Sequence, residues 1–421
     1  MFNKIKLFKK RLNASKDGKA VASNFGYLFI MQIAGYIFPL LTIPYLARVI
    51  GVEGFGKIAF ATAVIVWFQT ITDWGFSYTA TRDVARDRDN IEKVSEIFSS
   101  VLWAKVILAI ISFIILYILT EVIPYLNENQ LILFISFFLV PAKILFADWF
   151  FQAIEKMKFI TVFDFFSKAI FTICVFYFID EKSDFILHPL FLSVCSLFVG
   201  AISFILIIIK YKIKIKKIRF KKIYITIFNS KDVFINNIVP NFYNSSSSIF
   251  LGVAHGSIAN GILDAGTKFS NIAQQFISII ARVFFPFLSR NPNKHAYYAK
   301  INICSAVLVS IILFLLSPVV VKLFFTPEFY DAIQILQITS FSLIFLALSN
   351  VYGLNYMIIN GHERQLRNIT LISSLIGFII SIPLIKIYSF LGAALTLTFC
   401  RGIIGLSTMY AASRIKKGKN K

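Results

Sequence analysis

Apolar runs of about 20 residues, separated by charged residues, recur from one end of this sequence to the other. An α-helix of that length spans the ~30 Å hydrocarbon core of a bilayer. The 421 residues are 57% hydrophobic and 15% charged, whereas soluble domains average about 25% charged. The sequence therefore predicts an all-α protein that crosses a membrane many times.

The apolar runs predict twelve transmembrane helices. They extend over 23–46, 57–76, 98–119, 131–151, 159–179, 187–209, 232–254, 262–285, 301–325, 333–358, 369–386 and 390–412. The predicted domains are a basic tail (1–22), a six-helix bundle (23–209), a basic linker (210–231), a second six-helix bundle (232–412) and a basic tail (413–421). Pro240 predicts a kink in the seventh helix.

Basic residues divide unevenly between the two sides of the predicted membrane. Of the 43 Lys and Arg, 32 lie in segments on the N-terminal side and seven lie within the runs. The four on the other side are Arg48, Lys57, Lys182 and Lys386. Because cytoplasmic segments carry such an excess, both ends are predicted to be cytoplasmic.

The net charge of +22 agrees with this topology and with attraction to anionic headgroups. The basic linker segment KYKIKIKKIRFKK (210–222) leaves a specific partner as the alternative explanation. Nucleic acid is not predicted as a partner, because the basic residues flank apolar spans.

The two halves of the chain show traces of an internal repeat. GVEGFG at 51–56 and GSIANG at 256–261 share Gly-x4-Gly at an offset of 205, and similar segments begin at 129 and 333. Because each half holds an even number of helices, the halves would run in the same direction, related by a pseudo-two-fold axis along the membrane normal.

Polar residues gather on single faces of several predicted helices. The largest set spans about 80° of a helical wheel, and smaller sets lie on helices 7 and 2. These sets are Asp264, Lys268, Asn271, Gln275, Ser278 and Arg282; Asn237, Asn241, Asn244 and Ser248; and Thr62, Gln69 and Asp73. Such faces line a wet cavity or form interhelical hydrogen bonds, and for helix 7 both explanations remain open.

Seven cations and four carboxylates fall within the predicted spans, and the cation excess favours an anionic substrate. They are Lys105, Lys143, Lys168, Lys268, Arg282, Lys322 and Arg401, with Asp73, Asp148, Asp164 and Asp264. The four carboxylates are candidate sites for a coupling proton or Na⁺. A local ion pair between Asp164 and Lys168 and snorkelling by Lys105, Lys322 and Arg282 are alternatives. The spacing of Lys143 and Asp148 fits helical pairing poorly.

The four cysteines and four histidines lie apart from one another, which predicts neither disulfides nor a metal site. A coupling ion is thus the one cofactor-like ligand that the sequence suggests.

Two segments resemble the Wzx-type O-antigen and polysaccharide flippases of the multidrug/oligosaccharidyl-lipid/polysaccharide exporter superfamily. IPYLARVIGVEGFGKIAFATA (43–63), followed by DWGFSYTATRDVAR (73–86), resembles the opening of that family. ANGILDAGTKFSNIAQQFISIIARVFFPFLSR (259–290) resembles a helix of its second half, and the similarity runs nearly end to end.

The resemblance implies an inner-membrane protein that moves an undecaprenyl-diphosphate-linked oligosaccharide to the outer leaflet by alternating access. It further implies a V-shaped pair of bundles around a central cavity, ion or proton coupling, and polysaccharide polymerase and chain-length regulator proteins as partners. The motifs suggest Arg48, Asp73, Asp264, Lys268 and Arg282, and predicted depth adds Lys143, Lys168 and Arg401. The expected cavity residues are Arg48, Lys143, Lys168, Lys268, Asn271, Gln275, Arg282, Arg401, Asn237, Asn241 and Asn244.

Three other functions compete with this expectation. A drug/cation antiporter of the same superfamily would need an acidic cavity, which the cation excess argues against. A membrane enzyme of polysaccharide assembly would need a catalytic set on an outer loop, and these predicted loops are short and lack one. A membrane scaffold would leave the polar faces unexplained.

Overall fold

The computed structural model describes residues 16–419, so residues 1–15 and 420–421 of the two predicted tails lie outside the described residues. Within 16–419 the chain forms helices and turns and no strand. The first half contains α1 (Lys16–Val49), α2 (Gly51–Asp73), α3 (Phe76–Arg86), α4 (Ile91–Val122), α5 (Pro124–Glu128), α6 (Gln130–Phe137), α7 (Leu139–Phe146), α8 (Asp148–Ala153), α9 (Met157–Phe178), a 3₁₀ turn (Lys182–Ile186) and α10 (Leu187–Lys210).

The second half begins in the predicted linker. It contains α11 (Phe220–Asn229), α12 (Lys231–Ile238), a 3₁₀ turn (Val239–Phe242), α13 (Ser245–Arg290), a 3₁₀ turn (Pro292–Lys294), α14 (His295–Phe324), a 3₁₀ turn (Pro327–Phe329), α15 (Ala332–Leu348), a π-helical stretch (Ser349–Ile358) and α16 (Glu363–Lys419).

Ten helical segments within 16–419 are long and apolar enough to cross a membrane. Eight have the length of single spans, but Lys231–Arg290 has 60 residues and Glu363–Lys416 has 54. Within these segments, α13 and α16 each contain one residue with non-helical backbone angles, Gly256 (φ 81°) and Ser389 (φ 50°). Both interruptions fall in predicted loops. The described part of the chain has ten segments and not the twelve predicted helices because each of these two long segments contains two of the predicted helices.

Two predicted helices are interrupted by the backbone. The predicted helix 131–151 is three helices, α6, α7 and α8, with the last break at Ala147, whose φ of 42° is left-handed. The predicted helix 232–254 is interrupted at the 3₁₀ turn that contains Pro240, because proline supplies no N–H for the helical ladder. The proline break was expected, whereas the alanine break has no sequence signature.

The two halves of the chain meet closely where α2 crosses α13. A Cβ on Gly56 would lie 1.7 Å from the Ser257 carbonyl oxygen, and a Cβ on Gly261 would lie 2.2 Å from the Val52 carbonyl oxygen. Only glycine allows this approach. The two contacts are reciprocal, because 52 and 257, like 56 and 261, differ by the repeat offset of 205.

The largest buried apolar cluster lies at the same end of the molecule and draws on both halves. It includes Ile43, Phe55 and Val175 from the first half and Leu263 and Leu336 from the second. The Glu328 carboxylate of the second half also accepts a hydrogen bond from the Val52 N–H, 3.3 Å away, in the first turn of α2. This end is therefore closed by apolar packing and by a cross-half helix cap.

Candidate functional site

A cavity of about 450 Å³ lies between α1, α2, α9 and α10 of the first half and α13 of the second. Eleven of its 21 lining residues are apolar, chiefly Phe, Ile, Leu and Ala. Its polar lining comprises Thr42, Thr62, Lys168, His188, Asn244, Ser245, Ser248, Asp264, Lys268 and Asn271. An apolar hollow with a few convergent polar groups is the usual form of a small-molecule site.

A second hollow of about 440 Å³ adjoins this cavity, since Lys168, Lys268 and Asn271 line both. Gln275 and Asp164 also line the second hollow. A smaller hollow, lined by Lys143, Gln69 and Asp164, adjoins the second through Asp164. We call the three together the central hollow; it brings Lys143, Lys168, Lys268, Asn271, Gln275 and Asn244 of the expected set into one region.

The lysines of the central hollow are paired with aspartates. Lys168 Nζ lies 2.6 Å from Asp164 Oδ2 on α9, and Lys268 Nζ lies 2.9 Å from Asp264 Oδ2 on α13. Both pairs join residues one helical turn apart, and all four side chains are partly exposed to the hollow. The two pairs face the same space from opposite halves of the chain.

Two more pairs form between helices. Lys105 Nζ on α4 lies 2.9 Å from Asp73 Oδ1 on α2, and the Ser77 hydroxyl donates to the same oxygen at 2.6 Å. Lys105 is 3% exposed, so the expected snorkelling of this side chain was wrong. Lys143 Nζ on α7 lies 2.9 Å from Asp148 Oδ2 at the start of α8, across the break at Ala147.

These pairs correct the expected charge of the cavity. All four intramembrane carboxylates are matched by lysines, so the excess cations are Arg282, Lys322 and Arg401. Arg282 and Lys322 are exposed, and Lys322 lies over the Tyr330 ring. The central hollow therefore presents paired charges of both signs rather than a uniformly positive surface.

Arg401 lies inside the second half, 8% exposed. Its guanidinium donates to the Ser342 hydroxyl at 2.8 Å and to the Gln274 carbonyl oxygen at 2.7 Å. Neither partner carries a charge. Arg401 thus joins α13, α15 and α16, whereas the sequence placed it with the lysines of the cavity.

The remaining expected residues lie elsewhere. Arg48 is exposed at the end of α1, and Asn237 is half-buried on α12. Asn241 is 9% exposed, and its amide donates to the Thr70 hydroxyl at 2.9 Å. For Asn241 the structure thus favours the interhelical hydrogen bond over cavity lining.

His188 is a cavity residue that sequence reasoning missed. It lies at the start of α10, packs edge-on against Phe171 at 5.1 Å and lines the main cavity, and its buried Nδ1 has no partner among the described residues. A lone histidine in an apolar run carries no sequence signal, so only the fold reveals it. Among residues 16–419, no cluster of three His, Cys, Asp or Glu side chains could hold a metal ion.

The sequence model of a family described as polysaccharide biosynthesis protein matches residues 21–292, more than half of the chain. The chain belongs to this family. Two relatives carry the name "Putative O-antigen transporter". The one from Escherichia coli (strain K12) is 28% identical over 88% of this chain and 91% of its own length. The one from Shigella dysenteriae is 25% identical over 91% of this chain and 98% of its own length.

Solved structures show that this member of the family has a transporter fold. The lipid II flippase MurJ, in an inward closed conformation, superposes with a TM-score of 0.74 at 16% identity, covering 93% of this chain and 87% of that one. An inward-facing multidrug resistance transporter of the MATE family gives a TM-score of 0.68 at 13% identity, covering 94% and 99%. The relatives are named as transporters, in agreement with the expectation that the chain is not an enzyme.

Proposed function

We propose that this protein carries a polyprenyl-diphosphate-linked oligosaccharide from the cytoplasmic to the outer leaflet of a bacterial inner membrane. The O-antigen transporter names of two relatives and the MurJ-like fold support a lipid-linked glycan as cargo. The observation that carries the proposal is the central hollow, where Lys168 and Lys268 from opposite halves line one space.

The proposal includes twelve membrane crossings with both ends in the cytoplasm. A straight 60-residue helix would be ~90 Å long, about three times the bilayer core, so the breaks at Gly256 and Ser389 are treated as outer turns between two crossings each. Each half then has six helices, and the reciprocal glycine contact between α2 and α13 supports a pseudo-two-fold axis between them.

In this topology the closed end faces outwards, and the central hollow receives cargo from the cytoplasmic side. The diphosphate and first sugar would occupy the hollow while the polyprenyl tail stays in lipid, because acyl surface gains nothing from entering protein. Separation of α2 from α13 would then open the hollow outwards.

The aspartates supply a physical basis for coupling. A diphosphate that binds Lys168 and Lys268 competes with Asp164 and Asp264 for the same ammonium groups, because like charges cannot share a low-dielectric site without cost. The displaced carboxylates would take up protons or Na⁺, which links cargo binding to an ion gradient. Asp73 and Asp148 are further coupling candidates. Lys105, the partner of Asp73, is buried, whereas Lys143, the partner of Asp148, lines the smallest part of the central hollow.

Reconstituted vesicles test the cargo site. In vesicles with a fluorescent polyprenyl-diphosphate oligosaccharide, Lys168→Gln/Lys268→Gln should slow flipping tenfold or more, because charge-assisted hydrogen bonds are worth roughly 1.5–3 kcal/mol each. Lys322→Gln/Lys300→Gln, which removes two exposed lysines, is the matched control and should flip cargo normally. Equal rates in both variants would refute the cargo site.

Coupling is tested separately. Asp164→Asn/Asp264→Asn frees both lysines, so cargo should bind more tightly while the flux loses its dependence on the pH or Na⁺ gradient. If the flux still depends on the gradient, these two carboxylates do not couple transport to it. That result would leave the proposed cargo site unaffected.

The paired charges keep a drug/cation antiporter as the second candidate, because the central hollow is not strongly positive. The MATE-like fold is shared with such transporters. Gradient-driven efflux of a lipophilic cation by the same vesicles, with no movement of the labelled glycan lipid, would favour that function.

A further inference from the structure

Hydrogen bonds hold the linker between the two halves to the first half of the chain. Residues 212–219 have no regular secondary structure, and hydrogen bonds hold their backbone to α4. The Lys214 N–H donates to the Ser95 hydroxyl at 3.1 Å, and the Lys216 N–H donates to the Ser99 hydroxyl at 2.9 Å. The Trp103 indole donates to the Lys216 carbonyl at 3.2 Å. Three side chains on one face of α4, spaced by four residues, thus satisfy the linker backbone.

The linker helix α11 is also anchored. Ile223 is buried against the first half, and the Trp74 indole donates to the Ile227 carbonyl at 3.0 Å. Just beyond the helix, the Ser230 and Thr79 hydroxyls lie 2.8 Å apart. One face of α11 is therefore held by the transmembrane helices.

The neighbouring face of α11 is aromatic and uncovered. Phe220 is 73% exposed, Tyr224 59% and Phe228 50%, and their spacing of four places them in one stripe. The Lys231 ammonium lies 3.7 Å from the centre of the Phe228 ring. Three large exposed aromatics in ten residues are unusual for a surface that only water touches.

Basic residues precede and flank this stripe along the chain. Lys216 and Lys222 form ion pairs with Glu92 and Glu96 of α4. Between Lys210 and Lys231, the exposed cations that form no ion pair with a described residue are Lys212, Lys214, Lys217, Arg219 and Lys221. We call these five cations and the three aromatics the linker surface.

We propose that the linker surface binds anionic phospholipid headgroups of the cytoplasmic leaflet. The surface lies between Lys210, where α10 ends, and Lys231, where the next membrane segment begins, which places it at the membrane boundary. A basic face beside an aromatic face is the form of an interfacial helix, in which rings enter the headgroup layer and cations contact phosphate. Because the backbone is already ordered, binding needs little further ordering.

The number of unpaired cations gives an estimate of how strongly the linker surface should prefer anionic lipid. A juxtamembrane Lys or Arg contributes about 1 kcal/mol of attraction to an anionic leaflet. Five unpaired cations therefore suffice for a preference of tenfold or more for anionic over zwitterionic lipid. A nearby anionic protein would use the cations but would leave the aromatic stripe exposed.

Native mass spectrometry of the full chain in neutral detergent tests the proposal, with phosphatidylglycerol and phosphatidylcholine as probes. The wild type should bind phosphatidylglycerol about tenfold more tightly, and this preference should weaken in salt. Changing Lys212, Lys214, Lys217, Arg219 and Lys221 to Gln should abolish the preference. Phe220→Ser/Tyr224→Ser/Phe228→Ser should weaken binding of both lipids.

A charge-matched control removes five exposed basic residues elsewhere on the same proposed side. These are Lys156, Lys158, Lys294, Lys300 and Arg364. The control should keep the phosphatidylglycerol preference. Equal preference in the linker and control variants overturns the proposal, as does a dimer that only the linker variants lose, since a second copy would then cover the surface. Unchanged thermal unfolding in detergent shows that each variant is folded.

Discussion

Lys105 and Lys143 show two ways in which a lysine inside a membrane protein acquires a counter-ion. Lys105 reaches an aspartate on another helix, and Lys143 reaches one across a break in its own predicted helix. Spacing in the sequence indicated Asp164 with Lys168, because four residues separate the two. It could not indicate the pairs of Lys105 and Lys143, since each depends on backbone geometry that no local pattern encodes.

The buried Lys105–Asp73 pair should be important for stability. Lys105→Met leaves the Asp73 carboxylate, which is 21% exposed, without its ammonium partner, and losing one partner of a buried pair costs up to about 3–5 kcal/mol. We expect a clear drop in the thermal unfolding temperature in detergent. Lys105→Met/Asp73→Asn should recover much of that loss, and Lys322→Met, at an exposed lysine, should be neutral. An unfolding temperature unaffected by Lys105→Met would show that the pair contributes nothing.

At the scale of elements, Pro240 and Ala147 mark the limits of prediction. Proline announces a helix break through its missing N–H, so the interruption before α13 was expected. Ala147 is a good helix former, so its left-handed conformation depends on tertiary packing, and it lies in a buried cluster with Phe76 and Phe98. The ordered linker was likewise invisible, because Ser95, Ser99 and Trp103 look like ordinary residues of an apolar helix.

Two substitutions at Ala147 should change the free energy of unfolding in opposite directions. A left-handed alanine carries roughly 1–2 kcal/mol of strain, so Ala147→Gly should raise the free energy of unfolding by up to about 1 kcal/mol after the entropic cost of glycine. Ala147→Val should lower it by more, because a β-branched residue tolerates this conformation poorly and Ala147 is buried. Thermal unfolding of both variants in detergent checks the order. A valine variant as stable as the glycine variant would contradict the assigned backbone.

The crossing of α2 and α13 should respond strongly to a single methyl group. Gly56→Ala or Gly261→Ala forces the helices apart, whereas Gly402→Ala meets ordinary contacts at 3.7 Å and is the control. With Ser248→Cys in the cavity as reporter, an impermeant maleimide added outside intact cells should label the two crossing variants several-fold faster. Equal labelling of crossing and control variants would mean that this contact does not close the cavity.

At the scale of the molecule, the repeated Gly-x4-Gly motif was the most informative feature of the sequence. Its two copies proved to contact each other, with Gly51 and Gly256 both left-handed and Gly56 opposite Gly261. A membrane protein with many helices was predictable because hydrophobicity alone reports bilayer spans. The pairs of Lys105 with Asp73 and of Lys143 with Asp148 were not predictable, because the sequence alone does not show which carboxylate lies near a lysine on another helix or beyond a helix break.

The proposed twelve-crossing topology predicts on which side of the membrane each turn is exposed. Single cysteines at the exposed positions Ile258 and Tyr388, beside the breaks, should react with an impermeant maleimide from outside. A cysteine at Tyr297 should react only after permeabilisation. The background carries Cys304→Ser, because Cys304 is the exposed native thiol within 16–419. Protection of Ile258→Cys and Tyr388→Cys from outside would reject the division of each long helical segment into two crossings.

The hydrogen bonds from Ser95, Ser99 and Trp103 to the linker also limit how the halves can swing. A connection of about twenty residues could allow the halves to move freely. Here hydrogen bonds hold it to the first half as far as Ser230. The second half is thus connected to the first through a short segment after Ser230, a joint beside Trp74, where Phe234 stacks on the indole at 3.9 Å. Any large excursion must pivot at that joint, so the ends farthest from it travel the greatest distance.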